Sequence, residues 1–303
     1  MVNVEPPSGE QYEIVSGAAR AMIVEVGGGV RSFTVGDRPV AAAYDLQAMR
    51  PKGAGSILVP WPNRLADGRY RHAGVDHQLP LTEPENHNAI HGLLRWERWE
   101  VTDKSEDHVT LRYDLVPQTG YPFALAVQVR WTVGPDGLRA DHSVRNTGDR
   151  AAPFGLGVHP YVDLAGTPFG DTTVRLDARR RLLVDERGLP IKAELIGGTH
   201  YDLAGGGPLG ELRLDTAYTD LERDGADVAT VRIGRSDGTA VQVWMDRSFG
   251  YVELYTAAAF DGRTDAIAVE PMSCAPNAFN LRAGLVVLQP TVTWAGSWGM
   301  RLT

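Results

Sequence analysis

Along much of this chain, apolar and polar residues alternate with a period of two. Residues 109–115 (VTLRYDL) and 124–133 (ALAVQVRWTV) show it, as do 228–233 (VATVRI), 240–245 (AVQVWM) and 251–256 (YVELYT). Successive side chains of an extended chain point to opposite faces. This period, carried by β-branched and aromatic residues, therefore reads as half-buried strand. A helix needs apolar residues at i, i+3 and i+4, and no window sustains that spacing for three turns with proper caps. Residues 209–212 have room for a single turn. Turn-forming residues separate the runs: Gly134-Pro135-Asp136-Gly137, Asn146-Thr147-Gly148-Asp149, Asp224-Gly225 and Ser236-Asp237-Gly238. Each is expected to close a hairpin. The predicted fold is all-β, a large antiparallel sandwich or barrel.

Length leaves one unit or two open. At 303 residues the chain has room for roughly two ordinary domains, yet sandwiches and barrels hold ~200–250 residues in one. No linker and no repeat of fixed period divides it. Gly205-Gly206-Gly207-Pro208 is the most loop-like interior stretch, and strand-like runs lie on both sides. One β domain over residues 1–303 is expected, and the 34 glycines and 19 prolines fit its many turns. Acidic residues outnumber basic ones by 38 to 30, a net charge of -8, which argues against a nucleic-acid partner. The single cysteine, Cys274, has no intrachain partner and fits a reducing compartment. Residues 1–15 hold acids and prolines in place of an apolar leader core, and no run approaches the ~18 apolar residues of a spanning helix. A cytoplasmic monomer or homodimer with no membrane partner is expected.

Four segments interrupt the alternation with polar residues set among aromatics, Gly and Pro. In Pro60-Trp61-Pro62-Asn63-Arg64, two prolines fix φ and make a rigid loop, a good mount for the planar guanidinium of Arg64. The other reading of Arg64 is a surface residue beside a turn. In Asn86-His87-Asn88-Ala89-Ile90-His91-Gly92, two histidines stand four apart, as metal ligands on a helix do. A zinc-protease pattern needs Glu after the first of them, where Asn88 stands, and Gly92 opposes a helix, so a structural histidine is favoured over a ligand. In Phe154-Gly155-Leu156-Gly157-Val158-His159-Pro160-Tyr161, the proline pushes His159 into extended geometry at a strand end. The alternative is a half-buried histidine with a backbone partner. In Ala266-Ile267-Ala268-Val269-Glu270-Pro271-Met272, a carboxylate closes an apolar run. Burial of such a group is costly and raises its pKa, the condition of a poised general base, unless it merely faces water at an edge. Cys274 reads as a small hydrophobe. No nucleophile elbow is present, and Gly27-Gly28-Gly29 lacks the spacing of a phosphate loop.

Together, Pro60-Trp61-Pro62-Asn63-Arg64, Asn88-Ala89-Ile90-His91-Gly92, His159-Pro160-Tyr161 and Val269-Glu270-Pro271-Met272 resemble the aldose 1-epimerase (mutarotase) family in order and separation. The resemblance covers nearly the whole chain and implies the galactose mutarotase-like supersandwich, with no metal and no organic cofactor. It implies a small-molecule sugar substrate. Glu270 would take the proton of the anomeric hydroxyl, His159 would protonate the ring oxygen, and His91 would hydrogen-bond near the reacting oxygens. Arg64 would bind sugar hydroxyls, with Asn63, Trp61 and Tyr161 as further contacts. The family's hydroxyl-binding aspartate matches Asp215 best, with Asp246 a weaker competitor. The residue types suit the chemistry, since mutarotation needs only a positioned acid and base.

The chain departs from galactose mutarotases after His91-Gly92, where Leu93-Leu94-Arg95-Trp96-Glu97-Arg98 follows in place of a second Gly. This looks like a divergent bacterial branch, and galactose specificity does not carry over. Arg95 or Arg98 offers charge for an anionic substituent such as a phosphate; otherwise each faces solvent or pairs with Glu97 or Glu100. Trp96 is a further candidate for stacking on a sugar face. The expected activity is interconversion of the α and β anomers of a hexose. The alternatives are epimerisation of an anionic hexose, a non-catalytic carbohydrate-binding protein, a metal hydrolase using His87 and His91, and a glycosidase using Glu270 with Asp215.

Overall fold

The structure, a computed structural model, describes residues 5–256, 260 and 266–303. The first four residues of the segment read against a leader lie outside the described residues. Two large antiparallel sheets share one apolar core. The smaller, eight-stranded sheet runs Glu100–Lys104, His108–Leu115, Leu125–Gly134, Gly137–Asn146, Thr293–Leu302, Ala240–Met245, Ala229–Gly234, Thr173–Leu176. Its strands carry the period-two signal most plainly. Leu125, Val127, Val129, Trp131 and Val133 are all buried on one face, while the residues between them are more open. One face of this sheet packs on the core and the other meets solvent, which is what alternation records.

The larger, twelve-stranded sheet is built around Ala266–Met272, with Tyr161–Asp163 on one side and Tyr251–Tyr255, then Asp215–Leu221, on the other. Gly157–Val158 and Ile57–Leu58 add short pairings beside it. All seven residues of Ala266–Met272 are buried, so this strand is covered on both faces. Ile14, Ala21 and Phe33 of this sheet share one apolar cluster with Val127, Trp131 and Trp298 of the other. The apolar area removed from water there is the main stabilising term. Among the described residues the α-helix is limited to Ala278–Leu281, and no helix is long and apolar enough to cross a membrane.

Two expected hairpins are not hairpins. Gly134–Gly137 and Ser236–Gly238 do join paired neighbours. Asn146–Asp149 instead leads from the smaller sheet to Ala152–Phe154, which pairs with Val286–Leu288. Asp224-Gly225 carries the chain from the larger sheet to the smaller. Turn residues fix a local reversal, whereas which strands then pair depends on core packing. Residues 209–212 form one turn, closed by the Leu212 N–H on the Leu209 carbonyl at 2.9 Å. The Gly205–Pro208 stretch packs beside Thr173–Leu176, with the Val174 N–H donating to the Gly207 carbonyl at 3.2 Å.

Candidate active site

The rigid loop at Pro60 to Arg64 is pinned by the Gly155 N–H donating to the Pro60 carbonyl at 2.7 Å. It delivers Asn63 in left-handed geometry, φ 54°. Asn63 and His91 then bond reciprocally. The His91 N–H donates to the Asn63 carbonyl at 3.0 Å, and the Asn63 N–H donates to His91 Nδ1 at 3.2 Å. Since Nδ1 accepts, the ring proton of the neutral imidazole sits on Nε2. Burial, then the neighbouring His159, Arg95 and Arg64, hold the His91 pKa well below the usual imidazole value, so the ring is neutral. Gly92, also left-handed, passes so close to the Val59 backbone that a Cβ there would lie 2.2 Å from its oxygen. A side chain at 92 would thus dislodge the turn that carries His91.

Arg64 opens the short strand Arg64–Ala66, which pairs with Asn88–Ile90. Its Nε donates to both oxygens of Glu83 at 3.1 Å, and its Nη1 lies 3.8 Å from Asp215 Oδ2. Asn88 braces Glu83 in turn, donating from Nδ2 at 2.8 Å. Burial opposes the Arg64 charge, but Asp215 and Glu83 outweigh it and its pKa is raised. Gly188 lies flat against the guanidinium, where a Cβ would come within 2.5 Å of Nη1.

His159 follows Gly157–Val158, and Glu270 lies on Ala266–Met272. His159 Nε2 is 3.3 Å from Glu270 Oε1, and both side chains are almost fully buried. Burial lowers the His159 pKa to about 3, aided by the charge of Arg95. Burial, then the charge of Asp215, raises Glu270 well above the carboxylate range, against the pull of Arg64. The contact is therefore a neutral hydrogen bond holding one proton, on the acid, rather than an ion pair. His159 Nδ1 and Glu270 Oε2 are buried without hydrogen-bond partners among the described residues. Such groups are costly unless something completes them.

Glu253 was not singled out in the sequence. It is buried on Tyr251–Tyr255, accepts from Asn63 Nδ2 at 3.4 Å, and pairs in register with Glu270. Burial, then the charges of Asp215 and Glu270, raises its pKa well above the usual range. Its signal was available: like Glu270, it is a carboxylate in an otherwise apolar run.

Asn63, Arg64, His91, His159, Asp215, Glu253 and Glu270 line one open cleft of about 410 Å³, in the range of small-molecule sites. Trp96, which is largely exposed, and Arg95 also line it. Other candidates stand elsewhere. Trp61 is buried edge-on against Phe279, with ring centroids 5.8 Å apart, because an apolar ring on this loop gains more from the core than from the cleft. Tyr161 is also buried; its ring stacks on His159 at 5.1 Å and backs the imidazole without lining the cleft. The Asp246 carboxylate accepts from the Ser248 and Ser297 N–H groups at 2.8 and 2.7 Å, fixing a turn at the smaller sheet. Arg98 pairs with Glu5 and Glu25 on the surface, both at 2.7 Å. His87 is exposed, and among the described residues no three His, Cys, Asp or Glu side chains are placed to hold a metal ion. Burial pushes the Cys274 thiol up to about 12, which leaves it inert.

The aldose 1-epimerase family model matches residues 10–301. The uncharacterized protein YihR of Escherichia coli is 31% identical over 297 residues, spanning 93% of this chain and 90% of that protein. A galactose mutarotase-like protein from Clostridium acetobutylicum has the same fold, with a TM-score of 0.85 at 18% identity over 96% of this chain and 94% of that one. A galactose 1-epimerase from Lactobacillus acidophilus gives a TM-score of 0.79 at 16% identity over 97% and 94%. At such identities the solved structures speak for the galactose mutarotase-like fold alone. Membership rests on the family model and on YihR. On that footing this chain belongs to the aldose 1-epimerase family and is an isomerase of the mutarotase type.

Proposed function

We propose that this protein interconverts the α and β anomers of an aldohexose by opening and reclosing the pyranose ring. The observation that carries the proposal is the buried His159–Glu270 contact at 3.3 Å, between two residues that line the cleft. The pair holds one proton. Transfer of that proton along the contact gives a carboxylate and an imidazolium. Glu270 then removes the proton from the anomeric hydroxyl as His159 delivers its proton to the ring oxygen. The C1–O5 bond breaks, C1 becomes an aldehyde, and the chain turns about C1–C2. Reclosure on the other carbonyl face returns each proton, so the cycle balances and runs both ways. His91, neutral with its proton on Nε2, donates a hydrogen bond toward the developing charge. Arg64, held between Glu83 and Asp215, and Asp215 itself bind ring hydroxyls. One protein domain over residues 1–303 suffices for this reading, since both sheets share one core.

The test is polarimetric relaxation of freshly dissolved α-glucose and α-galactose with wild type and Glu270→Gln. Wild type should accelerate the relaxation of at least one hexose, and Glu270→Gln should lose about 10²-fold or more. Full activity in Glu270→Gln would remove the assigned base.

A further inference from the structure

One corner of the cleft differs in charge from the rest. Arg50, Lys52 and Arg95 all line the cleft, the two arginines beside Trp96. Arg50 and Arg95 place their guanidinium carbons 6.0 and 5.8 Å from the centre of the Trp96 ring. Arg50 is buried, and its hydrogen bonds go to uncharged oxygens: the Val26 carbonyl, the Ser56 hydroxyl and the Arg95 carbonyl. Among the described residues no carboxylate lies within ion-pair distance of Arg50, Lys52 or Arg95. The contrast with Arg64 is direct, since that guanidinium is matched by Glu83 and Asp215. A chain of net charge -8 therefore lines its own cleft with three cations that no carboxylate of the described residues matches. Burial, then the charge of Arg50, lowers the Arg95 pKa. Sugar hydroxyls do not offset such charge, whereas an anion bound by guanidinium and ammonium groups does. Trp96 offers its ring face to both guanidiniums, and Arg50 is held besides by those three oxygens.

Position specifies where on the sugar the anion sits. Lys52 adjoins Gly53, which packs on His159: a Cβ at Gly53 would lie 3.3 Å from His159 Cδ2. The corner thus adjoins the residue proposed to protonate the ring oxygen. In a pyranose the ring oxygen is bonded to C5, which carries C6. From this geometry, and resting on the epimerase reading above, we infer that the substrate is an aldohexose bearing an anionic group at C6, held by Arg95 and Lys52 beside Trp96.

The test compares kcat/KM for anomer exchange, followed by NMR, on glucose, galactose, glucose 6-phosphate, glucose 6-sulfate and glucuronate. At least one C6 anion should exceed both neutral hexoses about 10-fold or more, and raising the ionic strength should shrink the gap. Arg95→Gln should reduce the anion-to-neutral ratio about 10- to 100-fold, Lys52→Gln should reduce it independently, and Arg95→Lys should restore part of it. The three anions separate an ester phosphate or sulfate from a carboxylate. Neutral hexoses handled as well as every anion would overturn the inference and leave the epimerase reading standing. An unchanged ratio in both Arg95→Gln and Lys52→Gln would do the same. Failure of wild type to accelerate any of the five sugars would instead remove the epimerase reading, and this inference with it.

Discussion

Glu253 and Glu270 stand directly opposite each other on adjacent antiparallel strands, and both carboxyl groups are buried at the cleft. Side chains opposed in this way lie on one face at close range, where two like charges repel. In a buried site the relief is protonation, and both groups have raised pKa values, burial being the larger cause in each. Glu253 is thus a neutral acid whose hydrogen bonds run to Asn63 and Asp215. Asn63 in turn fixes the proton of His91 on Nε2.

Glu253→Gln should therefore be milder than Glu253→Ala. Glutamine reproduces the shape and donor capacity of a protonated glutamate. Alanine leaves the Asn63 amide and the Asp215 carboxylate without their partner, and about a tenfold loss of kcat/KM is expected. Steady-state kinetics of the two variants decide it, and equal losses would rule out the neutral-acid role.

The His159–Glu270 pair should act as a unit. His159→Asn and Glu270→Gln should each cost about 10²- to 10⁴-fold in kcat, and the double variant should cost little more than the worse single one. Losses that multiplied would mean that the two groups work independently.

The pH profile of kcat/KM should be broad on its acid side. A second proton reaches the pair only as pH falls toward about 3, the lowered value of His159. Activity should persist as pH falls through 6.5, where a free imidazole becomes charged. On the alkaline side activity declines as the pair loses its one proton, above the ordinary carboxylate range. Both limbs belong to the pair as a whole. An acid limb centred near 6.5 would contradict this environment for His159.

Acid stability should report His142. This ring is buried, accepts from Trp298 Nε1 at 3.0 Å, and has its pKa lowered by burial to about 3. The folded state keeps it neutral while the unfolded state protonates it below 6.5. Stability is therefore fully present above 6.5 and falls as pH drops toward about 3, by ~1.4 kcal/mol per pH unit from this group. His142→Gln should flatten that slope in urea melts taken across the same window.

The two cleft-segment tryptophans should separate stability from binding. Trp61→Ala opens the core around Phe279 and should cost about 3–5 kcal/mol. Trp96→Ala, on an exposed ring, should leave the melting midpoint close to wild type and raise KM. Urea unfolding beside initial-rate kinetics measures both.

Legibility in the sequence followed the environment of each strand. Leu125–Gly134 announced itself because one face meets water and the other the core. Ala266–Met272, covered on both faces, has no such period, and Glu270 was readable there only because a carboxylate in an apolar run has a cost. The same logic applied to Glu253, but the strand around it alternates well enough to make an outward-facing glutamate plausible. The outward face at that point is the cleft. Trp61 misled for a related reason: a ring on a rigid loop suits core and cleft equally, and three-dimensional neighbours decide. Asn146–Asp149 and Asp224-Gly225 show the same limit for topology, since a turn's chemistry is local while strand pairing is set from afar.

The groups that line the cleft come from widely separated stretches of chain between residues 49 and 270, and His91, His159 and Glu270 stand far apart in sequence. Closing such long loops is the slow part of assembling a β protein. In a refolding time course, recovery of catalytic turnover therefore clocks the last docking event. Tryptophan fluorescence, with Trp131 and Trp298 among its sources, reports packing of the smaller sheet instead, and comparing the two signals shows whether the cleft closes with that sheet or after it.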